Sequence, residues 1–166
     1  MYNIGELIIY SSHGICRVDD ICNKTISGTT KSYYVLHPLE DDHHLTISTP
    51  VDNDKVVMLG MMKPEEAKEL LESFHNPGIE WNDQSHARFR KYSDIVNSGE
   101  RKEIVKVVNT LMRKKIEAER QDKKLHEQDR KLLKYVQDIL FRELAISLDT
   151  TIADIKALVT KEVTAE

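Results

Sequence analysis

A change of hydrophobic period near residue 60 constrains this chain more than any other feature. Before it, apolar residues fall in short runs separated by turns. Leu7-Ile8-Ile9-Tyr10 is one run, and His13-Gly14 reads as a turn. Residues 15–22 alternate apolar and polar, with Asp19-Asp20 interrupting. Residues 24–28 read as a strand end and turn. Residues 32–36 hold Tyr33, Tyr34 and Val35, types that favour strands. Pro38 ends that run, Glu40-Asp41-Asp42 makes an acidic turn, residues 45–49 alternate again up to Pro50, and residues 56–59 form a last short run. Five short strands in so few residues predict a small, strongly bent antiparallel barrel.

From Pro64 onward the period is helical. Pro64 suits a first turn, with Glu65 and Glu66 at its positive end. Ala67, Leu70, Leu71 and Phe74 form its stripe, and Asn76-Pro77-Gly78 stops it. A second helix, capped by Asn82, is expected to run to about Val96. A third follows Ser98-Gly99, with Ile104, Val107, Val108, Leu111 and Met112 inside. Residues 120–127 are polar and read as a loop. A fourth helix covers residues 129–144, and Thr151 with Asp154 opens a fifth in capping-box fashion. The expected class is therefore α+β: a barrel over residues 1–60 and about five helices over residues 61–166.

Charge is uneven. The chain carries a net −4, yet residues 101–134 hold twelve basic and six acidic groups. The two ends thus suit different partners, or expose ordinary solvated helix faces. Catalytic signatures are missing: there is no Gly-rich phosphate loop, GxSxG or HExxH. His43-His44 has no nucleophile nearby, and Cys16 and Cys22 lack the spacing of a zinc site. No enzyme, metal, cofactor or small-molecule substrate is expected. No apolar run reaches the ~20 residues of a membrane span. No basic leader precedes Ile4 and Leu7, so the expected location is cytoplasmic.

The stretch from Trp81 to Glu100 concentrates the remaining chemistry. It holds the only tryptophan and the basic-aromatic run Arg88-Phe89-Arg90-Lys91-Tyr92. Phe89, Tyr92 and Val96 make one apolar stripe flanked by Arg88, Arg90 and Lys91. An indole beside guanidiniums suits a minor-groove wedge with phosphate contacts around it. The same residues also suit a core tryptophan closing a helix end. Arg113 and Lys114 on the third helix are further phosphate candidates.

Gly5-Glu6, Ile9-Tyr10, His13-Gly14, Val18, Ile21 and Ile26-Ser27-Gly28 resemble the polymerase-interacting module of the bacterial CarD-like transcription regulators. Tyr34-Val35-Leu36 and Ile47-Ser48-Thr49-Pro50 continue the likeness. So do Trp81, Arg88, the Ser98-Gly99-Glu100 break and Glu143-Leu144-Ala145. The resemblance implies a Tudor-like barrel docking on the RNA polymerase β subunit through Lys24, Ile26, Ile47, Ser48 and Thr49. It implies a helical domain that contacts promoter DNA at the upstream edge of the melted bubble and shifts open-complex stability. Trp81 would wedge at the minor groove, and Arg88, Arg90, Lys91, Arg113 and Lys114 would hold phosphates, without reading sequence. Two positions depart from the family pattern. The usual tryptophan position falls at Ser85, and Ser48 stands where a basic residue is common. The competing reading is a protein-interaction adaptor that docks on polymerase or another β-rich partner without binding DNA.

Overall fold

The computed structural model describes residues 1–40 and 44–164, the Ser12 side chain apart. The acidic turn expected at Glu40-Asp41-Asp42, and His43 beside it, therefore fall mostly outside the described residues. The chain divides into two compact units, Met1–Met61 and Met62–Glu166. No described helix is long and apolar enough to cross a membrane.

The first unit is an antiparallel sheet of β1 (Leu7–Tyr10), β2 (Gly14–Ile26), β3 (Thr29–Pro38), β4 (Ile47–Pro50) and β5 (Met58–Gly60). Its order is β4-β3-β2-β1-β5. The edges β4 and β5 do not pair, so the sheet is open, where a barrel was expected. Asp19 and Asp20 do not interrupt β2. The register slips by one residue between Val18 and Asp20, a bulge that bends the strand without ending it. Ser27 (φ 51) and Gly28 (φ 79) both take left-handed backbone, as the tight turn joining β2 to β3 requires.

Side chains alternate across these strands, and the pairing assigns each to a face. Ile8, Cys16, Val18, Tyr34 and Leu36 share the inner face and form its buried core. Tyr2 is tied to that core, its backbone N–H donating to the Tyr34 hydroxyl at 3.0 Å. Cys22, Lys24, Ile26, Tyr33, Val35 and Ser48 lie on the opposite face.

The second unit packs α1 (Pro64–Ser73), α2 (Ser85–Ser98), α3 (Arg101–Arg120), α4 (Glu127–Ser147) and α5 (Ile152–Thr164). Phe74, Tyr92, Val107, Val108, Leu111, Leu144, Ile155 and Val159 are fully buried at its centre. Each buried large apolar side chain contributes about 1.5–3 kcal/mol. Gly99 (φ 77) ends α2 in the left-handed conformation that favours glycine. Thr151 Oγ1 accepts from the Asp154 backbone N–H at 3.1 Å, the expected cap of α5.

The cap expected at Asn82 is absent. Helix α2 starts three residues later, at Ser85, and Gln84 stands at its cap position. Asn82 Oδ1 instead accepts from the Gln84 backbone N–H at 2.9 Å, a local turn that competes with helix. Trp81 therefore sits in the loop before α2.

Candidate nucleic-acid interface

The loop carrying Trp81 is held from three sides. Asn109 on α3 donates to the carbonyls of Phe74 and Asn76 at 2.6 and 3.0 Å, satisfying the end of α1. Thr110 accepts from the Ile79 N–H at 2.8 Å and donates to the Ile79 carbonyl at 3.1 Å. Gly78 lies so close to α3 that an added Cβ would meet the Thr110 hydroxyl at 2.1 Å. From α2, the Tyr92 hydroxyl donates to the Glu80 carbonyl at 2.9 Å. Burial pushes that phenol up to about 12, so it remains a donor at ordinary pH.

Arg88 makes the third tether. It is 4% exposed, and its partner Asp129 on α4 is 2% exposed. Arg88 Nε and Nη2 donate to the two Asp129 carboxylate oxygens at 3.1 and 2.6 Å. Nη1 donates to the Asn82 carbonyl at 2.7 Å. The guanidinium lies over the Trp81 ring, 4.0 Å from its centroid. Tyr92 meets that ring edge-on at 6.4 Å. Lys114 Nζ also stands over the ring, at 5.0 Å.

This corrects the part expected of Arg88. A phosphate contact needs free donors at the surface, and three of its nitrogens are already spent on buried partners. The helical period places position 88 beside Tyr92, on the face turned to the core. Its chemistry here is to fix the indole. Trp81 is half-buried: it packs on the core's margin and keeps part of its ring at the surface.

Two recesses border the ring. One, of about 250 Å³, includes Trp81, Lys114, Ala118, Lys123, Lys124 and Leu125 in its lining. The other, of about 430 Å³, includes Lys91 with Glu80 and Asp83. Lys91 and Lys114 thus each line a recess beside Trp81, though not the same one. Arg90 and Arg113 are exposed but line neither recess. Lys123, Lys124 and Asp129 were missed. The first two were visible only as part of the basic excess over residues 101–134. From sequence, Asp129 is only the first residue of the expected fourth helix.

In the sheet unit, three of five expected contact residues share the outer face. Lys24 Nζ donates to Ser48 Oγ at 2.6 Å and lies 5.9 Å from the Tyr33 ring centroid. Ile26 is 55% exposed on that face. Ile47 and Thr49 point the other way: Thr49 is 2% exposed and Ile47 packs on the inner core. A period of two makes this unavoidable, because Ser48 cannot share a face with its neighbours.

The molecule is thus a small open sheet followed by a five-helix unit with a tethered surface indole among lysines. Family models match both parts. Residues 2–60 match the CarD-like/TRCF RID domain, and residues 69–160 match the CarD C-terminal domain. The chain belongs to the CarD-like family of RNA polymerase-interacting, transcription-associated proteins.

Proposed function

We propose that this chain is a transcription regulator that docks on the RNA polymerase β subunit through its sheet and contacts promoter DNA through its helical unit. The observation that carries the second half is Trp81, braced by Arg88 and Asp129 and bordered by Lys91, Lys114, Lys123 and Lys124. A rigid aromatic surface beside phosphate-binding cations suits the upstream edge of a melted bubble, where the duplex is already distorted. A ligand that binds the open state better than the closed one shifts the equilibrium between them by that difference. Arg90, Lys91, Arg113 and Lys114 supply sequence-independent attraction. Tethering on polymerase raises the local concentration of this modest surface.

For the sheet, Lys24, Ile26 and Ser48 form the side-chain part of the docking face. Val51 N–H donates to the Ser32 carbonyl at 3.0 Å. The alternating pattern then turns the Ser48 backbone groups outward along the edge strand β4. An unpaired edge is the element that strand-addition docking uses. Ile47 and Thr49 turn both side chain and backbone groups inward, toward the core and β3, so they support the edge without offering contacts of their own.

The test is electrophoretic binding to forked DNA with and without RNA polymerase. Tighter retention of the fork in the presence of polymerase is expected. Polymerase binding with no fork retained by either form would leave the adaptor reading in place.

A further inference from the structure

Two hydroxyls face outward along the edge of the sheet. Ser48 lies on β4 and Thr46 just before it, and both are exposed. Each is backed by a basic side chain from β2 or β3. Lys24 Nζ donates to Ser48 Oγ at 2.6 Å. His37 follows Val35 on the outer face of β3, and its Nε2 meets Thr46 Oγ1 at 3.1 Å.

The two bases act differently on their hydroxyls. An ammonium has donors and no acceptor, so Lys24 always leaves the Ser48 hydrogen to donate outward. An imidazole can do either. The second ring nitrogen of His37, Nδ1, meets the Asp19 carboxylate. The Arg17 guanidinium, helped by His37, holds that carboxylate below its ordinary range, so it stays ionised and can only accept. Nδ1 therefore carries a hydrogen whether the ring is neutral or charged. In the neutral ring Nε2 is then the acceptor, and the Thr46 hydroxyl spends its hydrogen on it. In the charged ring Nε2 donates, Thr46 accepts, and the Thr46 hydrogen turns outward.

Among the described residues, the charged groups around the imidazole come from β2. They are Asp19 with its partner Arg17, and Asp20, which pairs with Val35 on the same face. From the chain before β4 the ring meets the uncharged Thr46. Protonation of His37 thus makes Thr46 the same kind of outward donor as Ser48, two residues away on one face, and sets a positive charge behind it. Two donors at that spacing, backed by Lys24 and a charged His37, complement an extended segment with carboxylates at every second residue.

We infer that Thr46 and His37 form a pH-dependent contact of the β4 edge, which takes a carboxylate of an acidic partner strand once His37 is protonated. This rests on the docking reading above and adds a residue pair and a condition to it. Thr46 makes the contact. His37 is a positioning residue that sets which way the hydroxyl points.

The experiment measures binding of the full chain to RNA polymerase by surface plasmon resonance at constant ionic strength. It runs from about pH 8 to about pH 5.5, on either side of the ordinary histidine value of about 6.5. Wild type and variants are compared at each pH, so titration of polymerase itself cancels. The ratio of wild-type to Thr46→Val affinity should rise about tenfold toward the lower pH, the scale of a hydrogen bond to a charged group. Thr46→Ser, which keeps the hydroxyl, should retain the rise. His37→Gln, which does not titrate, should lose it. A ratio that is flat with pH, or that falls as pH is lowered, would overturn the inference. If Lys24→Glu still weakened binding at both ends of the range, the docking reading would stand. Wild type that binds polymerase at no pH would overturn both.

Discussion

Arg88 illustrates how one side chain's environment sets its use. A guanidinium at the surface binds phosphate, whereas the same group buried against Asp129 becomes scaffolding. Removing one member of a buried pair strands the other charge and costs about 3–5 kcal/mol. Arg88→Ala and Asp129→Ala should therefore each lower stability by that amount in urea denaturation. Each should also shift the tryptophan emission to the red as the indole is released. The double substitution should cost less than the sum of the singles, because no unpaired charge remains. A single variant that weakens DNA binding with unchanged stability would contradict this placement. Lys91 and Lys114 behave differently, since they are exposed or half-exposed. On the proposed function, Lys91→Ala and Lys114→Ala are expected to weaken DNA binding and leave the fold intact.

Among elements, β2 and the loop before α2 matter most. The bulge at Asp19 lets one strand of thirteen residues serve both halves of the sheet. Asp19 accepts from Arg17 Nε at 2.6 Å and also meets His37 Nδ1. The Arg17 hydrogen bond, helped by His37, holds its carboxyl below the ordinary carboxylate range. Beyond the bulge, Lys24 is half-buried on the outer face, so it can be changed without disturbing the inner core. Lys24→Glu is expected to weaken binding to polymerase while the melting temperature stays within a degree or two, since surface changes usually stay within about ±0.5 kcal/mol. Unchanged affinity in a pull-down or by surface plasmon resonance would place the docking surface elsewhere.

At the scale of the whole molecule, Glu143 ties the start of the helical unit to its centre. It is 1% exposed. It accepts from the Met62 N–H at 3.0 Å and from Arg101 Nε and Nη2 at 3.0 and 2.6 Å. Ser147 adds a hydrogen bond to the Met62 carbonyl at 2.8 Å. Burial raises the Glu143 carboxyl above its ordinary value, and Arg101 opposes that rise only in part. A carboxyl raised in the fold holds its proton more tightly there than in the unfolded chain. Its contribution is thus greatest below its unfolded value and falls as pH rises through the folded one. The wild-type protein should therefore gain stability relative to Glu143→Gln as pH is lowered from 7 toward 4, measured by urea titration. Asp19 has the opposite sign, and its contribution is lost as pH falls below its ordinary value of 3.8. A stability difference that is flat with pH would mean that Glu143 titrates alike in both states.

Local pattern alone determined the class of every major element. Period two up to residue 60 and period 3.6 after Pro64 are set by which residues avoid water, and water acts the same way before and after folding. The turn at Ser27-Gly28, the stop at Gly99 and the cap at Thr151 are likewise local, because each depends on backbone within a few residues. Sequence pattern also placed Trp81 near Arg88, whereas Lys114 reaches the ring only through the packing of α3. Other features required distant residues to meet. Whether the sheet closed depended on β4 and β5 reaching each other, and no local signal encodes that. That Thr49 faces inward followed from register with Tyr34, fifteen residues away. Arg88 turned from phosphate ligand to brace because Asp129, forty-one residues on, buries its carboxylate against it. A charge written in sequence has a sign but no surroundings; only tertiary structure decides whether water or a buried partner satisfies it.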